Sequence, residues 1–156
     1  MPVRAMLYSI LKLIHVLLAI TAVGSNVTYA VWLGRADRDP AHLGFALKGI
    51  KFIDDRVANP CYGLLLPTGL LMVWVGGIDL RHGIWVALGI FLWLVLVLIA
   101  VSRYTPALKR QIAALDAEGP ESTAYRAASA RATQVGIVLA VIALLIVADM
   151  VLKPHV

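Results

Sequence analysis

Four stretches of this chain, residues 13–34, 57–78, 83–102 and 132–148, contain no Asp, Glu, Lys or Arg. Each approaches or exceeds the roughly 20 apolar residues a helix needs to cross about 30 Å of hydrocarbon. A helix satisfies its own backbone hydrogen bonds in lipid, and the stretches are too long for strands and lack period-two alternation. The chain therefore reads as an all-α integral membrane four-helix bundle. It forms a single transmembrane domain over residues 1–156, with spans at about 7–33, 58–78, 83–103 and 131–152. A hydrophobic content of 61% and a mean hydropathy of +0.86 exclude an ordinary water-soluble domain. The first stretch outlasts the core of a signal peptide and reads as a retained span.

Basic residues set the orientation. Of the 14 Lys and Arg, five (Arg35, Arg38, Lys48, Lys51, Arg56) fall between the first two spans, and five more (Arg103, Lys109, Arg110, Arg126, Arg131) between the last two. The positive-inside rule then puts both termini and the 79–82 turn on the non-cytoplasmic side of a bacterial inner membrane. The net charge of +5 fits anionic lipid head groups. It does not point to nucleic acid, because no basic module interleaved with aromatics could hold a strand. The single Cys61 supports no disulfide and no CxxC site. The expected partners are the lipid bilayer and a second copy or a larger membrane complex, met through small-residue faces.

The connections carry structure of their own. Between residues 41 and 57, Leu43, Leu47, Ile50 and Ile53 recur at helical spacing with lysines between them, which predicts a short interfacial amphipathic helix. Pro106 suits the first turn of a helix in which Leu108, Ile112 and Leu115 share a face, and Ser122 or Thr123 is the expected N-cap of the next. In the second span Pro67 deprives the Gly63 carbonyl of its partner, which predicts a bend that Thr68 relieves by bonding locally.

Candidate functional residues gather on the first span, where Lys12 and His15 interrupt an apolar run. At about 100° per residue, Tyr8, Lys12, Ala19, Ala22, Asn26 and Tyr29 all lie within about 60° of His15. This polar and small stripe should face the bundle. On the fourth span Thr133, Gly136, Ala140, Ala143 and Val147 form a similar stripe, so the first and fourth helices are expected to pack together. Near the same end, Asp149 and Lys153 are spaced for a helix ion pair, the alternative being a network of Asp149 with Lys12 or His15.

An ionisable side chain at the depth of His15 marks a functional candidate. A neutral imidazole facing small residues is the protein's side of a haem b site, with His15 as the metal ligand and His82, Met72 or Lys12 as the second. Lys12, Tyr8 and Asn26 are candidates for contacts to propionates. Met6, Met72, Met150 and Cys61 are scattered, so copper ranks lower. Two other readings stay open: a non-catalytic partner or assembly subunit in which His15 only bonds across the bundle, and a copper or proton transporter.

The segments "LKLIHVL", "DDRVANP", "LPTGLL", a tryptophan heading the third span and "VLKP" near the C-terminus together resemble a family of bacterial four-helix membrane proteins of unknown function. That family is distantly similar to the copper-resistance D proteins and the HemJ-type protoporphyrinogen oxidases. The HemJ-type likeness implies haem b held by the first-span histidine, here His15, and a closing motif matched by Lys153–Pro154. Its second ligand, a lysine shortly after the third-span tryptophan, has no counterpart in "WVALGIFLW", and "SARATQVG" replaces its polar motif before the last span.

Overall fold

A computed structural model describes residues 2–36, 38–78 and 83–153. The first helix, α1 (Pro2–Ala36), is followed by a 3₁₀ turn at Pro40–His42 and by α2 (Leu43–Ile53). A π-helical turn at Asp54–Ala58 carries α2 directly into α3 (Asn59–Gly76). Next, α4 (Ile84–Ile99) passes through a second π turn, Ala100–Tyr104, into α5 (Thr105–Glu118), and α6 (Thr123–Leu152) closes the chain. The expected all-α architecture is observed: four helices are long and apolar enough to span a membrane, and no strand occurs among the described residues.

One expectation changes. The helix predicted between the first two spans is present as α2, but it does not turn away to lie along a membrane surface. The backbone stays in the right-handed helical region from Ile53 through Asn59, so Pro40–Gly76 forms one continuous helix of 37 residues. The amphipathic pattern serves a protein contact instead, because Leu43, Leu47 and Ile50 are buried inward while Phe45 and Phe52 stay exposed.

The two π turns have a shared cause. A proline follows each at the same offset, Pro60 after Asp54–Ala58 and Pro106 after Ala100–Tyr104. Proline supplies no N–H to the carbonyl four residues back and presses its ring toward it, and a wider turn relieves both problems. The inward positions tell the same story. Ile50, Asp54, Ala58 and Tyr62 are spaced by four, as are Leu96, Ala100, Tyr104 and Leu108, and all are buried or half-buried. In an α-helix each four-residue step drifts by about 40°, and the π turn absorbs that drift.

Helix ends follow their local chemistry. Gly77 (φ 63°) terminates α3 in the left-handed region, Gly119 (φ 82°) ends α5, and Ser122 caps α6 by accepting the Tyr125 N–H at 3.0 Å. The helices pair as two antiparallel hairpins, α1 against α3 and α6 against α4 and α5, while α1 and α6 barely touch. The predicted α1–α6 pairing is thus replaced, and the stripe around His15 faces α3. Both stripes offered close approach, and only the short connection of each hairpin selects the partner.

The best-buried core starts at the end of the first span and extends beyond it, where Tyr29, Ala36, Leu43, Ala46, Leu47, Ile50, Leu108 and Tyr125 converge from α1, α2, α5 and α6. This head joins the hairpins, and Lys48 Nζ to Asp116 Oδ1 at 3.0 Å ties α2 to α5 across it. A smaller cluster around Leu96, Leu139 and Ala143 lies in the middle of the bundle.

Candidate functional site

The seam between α1 and α3 holds most of the candidate residues. His15 Nδ1 lies 2.8 Å from Thr68 Oγ1. The Thr68 hydroxyl is 2.7 Å from the Leu64 carbonyl and 3.1 Å from the Leu65 carbonyl, so it bonds locally but not to the Gly63 carbonyl that Pro67 leaves free. With that hydroxyl donating to Leu64, the bond to His15 requires a proton on Nδ1 and leaves Nε2 as the ring's lone-pair nitrogen. Gly69 makes the approach possible, since a Cβ there would stand 3.3 Å from His15 Cε1.

Further along the seam, Tyr8 packs over Gly76, where a Cβ would come within 2.9 Å of Tyr8 Cε2. Lys12 is exposed. Met72 is half-buried one turn beyond Thr68 on the same face of α3. His82 lies outside the described residues. Asn26 sits three turns from His15 and donates to the Tyr62 hydroxyl at 2.7 Å. Among the described residues, no group of three or more His, Cys, Asp or Glu converges as a metal site.

Tyr62 also links the hairpins, its carbonyl accepting from Trp93 Nε1–H at 2.9 Å. Between the hairpins lies an apolar cavity of about 40 Å³, lined by residues including Ala19, Val23, Tyr62, Trp93 and Ala143. Tyr62→Phe should leave the Asn26 amide without its acceptor inside the span. The expected cost is about 0.6–2 kcal/mol of stability, measured by unfolding in mixed micelles.

Two buried acids complete the polar inventory. Asp54, 5% exposed, accepts from Asn59 Nδ2 at 3.2 Å and has Tyr29, Tyr62 and Tyr104 around it. The Tyr29 hydroxyl is buried beside this carboxylate. Sequence reading missed this group because "DDR" looks like a solvated connection, although the run of fours through Asp54 carried the signal. Asp149, 7% exposed, packs against Gly89 of α4, and neither carboxylate oxygen has a partner among the described residues. The Lys153 ammonium lies over Trp85, 5.4 Å from the ring centroid, so the expected Asp149–Lys153 pair is not formed. The left-handed backbone of Lys153 (φ 45°) ends the helix on which such a pair depends.

The four apolar, membrane-length helices and this layout agree with a family model for predicted integral membrane proteins, which matches residues 9–154. The chain belongs to the DUF2269 family. No curated protein and no solved structure matches it. Family membership establishes a multi-pass membrane protein in contact with lipid, and the chemistry of the DUF2269 chain has to be argued from its own residues.

Proposed function

We propose that this protein is a haem-b-binding redox protein of a bacterial inner membrane, with His15 as axial ligand and both termini on the non-cytoplasmic side. The observation that carries the reading is the Thr68 contact at His15 Nδ1. Ligating histidines are typically held through one ring nitrogen so that the other meets the metal, and Thr68 performs that holding here. The donor set fits: one oriented imidazole, Met72 a turn away as a soft second ligand, and Lys12 and Tyr8 on the same stripe for propionate contacts. Asn26 is committed to Tyr62 and is a weaker candidate. The cavity of about 40 Å³ is far below the roughly 300 Å³ where ligand pockets begin, so this reading puts the ring outside it. When bound, haem would supply one-electron chemistry.

The test is the visible spectrum of the purified chain, oxidised and reduced, made in haem-replete cells. The expected result is a Soret band that His15→Ala abolishes, while Thr68→Val weakens haem affinity about 10–100-fold. A colourless wild-type protein overturns the proposal, and a normal Soret band in His15→Ala removes His15 as ligand.

A further inference from the structure

The head of the molecule contains a second site, unconnected to His15. A cleft of about 220 Å³ opens between the α4–α5 junction and α6, lined by Ser102, Arg103, Pro106, Ala107, Arg110 and Arg131. Three arginines therefore line one small space. The lysine and arginine ion pairs formed among the described residues engage Lys48, Lys51 and Arg126 instead. Gathering three like charges without an acid is unfavourable unless an anion occupies the space between them.

Position indicates which anion. Arg103 is the first charged residue after the apolar run 83–102, and Arg131 is the last before the run 132–148. Both therefore sit at the hydrocarbon border, the level of lipid phosphates, at the end of the molecule that carries most of its basic residues. Arg110 lies two turns, about 10 Å, farther out along the same helix. The Ser102 hydroxyl donates to the Leu98 carbonyl, which leaves the arginines as donors to a ligand. Guanidinium forks match phosphate oxygens in pairs, and basic pockets between spanning helices suit anionic head groups. A volume of about 220 Å³ is below that of a drug-sized pocket and suits a phosphate with a few attached atoms.

We infer that this cleft binds the phosphate of an anionic phospholipid, held by Arg103, Arg110 and Arg131. The test uses the full chain in micelles containing equal phosphatidylglycerol and phosphatidylcholine, with retained lipid counted by native mass spectrometry. Wild type should retain phosphatidylglycerol preferentially. Replacing Arg103 and Arg131 by Gln should reduce that preference by roughly fivefold per arginine. Arg126→Gln makes the same charge change at a residue paired with Glu121 outside the cleft, and should leave the preference intact. Circular dichroism melting confirms that each variant is folded. No preference in wild type, or an equal loss in Arg126→Gln, overturns the inference. Calorimetric titration with inorganic phosphate separates the two phosphate sources: binding of free phosphate without lipid preference also overturns the lipid assignment.

Discussion

Leu47→Ala is expected to lower the stability of the folded chain by about 2–5 kcal/mol, the range for truncating a fully buried leucine. Leu47 is 0% exposed, in the cluster where α1, α2, α5 and α6 converge. Between helices within lipid, apolar burial provides little drive, because the acyl chains are as apolar as the side chains. Apart from Tyr29, the buried residues of the head lie beyond the charge-free spans, so water exclusion acts at Leu47 and holds the two hairpins together. Reversible unfolding in mixed micelles would measure the loss. Leu144→Ala, at a leucine 61% exposed on the outward face of α6, serves as the comparison and should change stability by no more than about 0.5 kcal/mol. Equal effects at the two positions would refute the head as the clamp.

Asp149→Leu should have the opposite sign, raising stability by about 1–3 kcal/mol, the cost of a buried polar group left without a partner. Both carboxylate oxygens are enclosed, and the absence of a side chain at Gly89 is what lets Asp149 and Met150 pack so closely against α4. The same unfolding measurement decides it. A lower midpoint in the variant would mean that Asp149 has a stabilising partner in the intact protein. A stabilised variant would mark Asp149 as a residue kept at the expense of the fold, the usual sign of a functional acid in a membrane.

The spans were legible because absence of charge over 17–22 residues has only one good structural solution in lipid. Helix pairing was not, because a stripe of alanine and glycine permits close approach without naming the helix that approaches. Asp54, Asp55 and Arg56 fell at the end of the expected interfacial helix, and the structure carries them on without a break into the next span: Lys51 pairs with Asp55 one turn away, and Asn59 reaches back to Asp54. His15 stood out at once as an ionisable group in an apolar run. Its contact Thr68 was noticed only as a polar residue beside Pro67, because the partner lies on another helix. Tyr62 passed as an ordinary span residue and Tyr104, just past the third span, was not singled out, since the residues they meet come from other helices.

The continuity of the long helices has a mechanical consequence. At 1.5 Å per residue, the 37-residue helix Pro40–Gly76 is about 55 Å long, well beyond the roughly 30 Å of hydrocarbon. Ile84–Glu118, at 35 residues, is nearly as long. Neither has a joint at the surface of the bilayer, because the π turns carry the same inward face from one environment into the next. Each helix is a lever with its short arm in water. Leu47 and Thr68 thus stand on one unbroken rod, which ties the packing of the head to the residue that contacts His15.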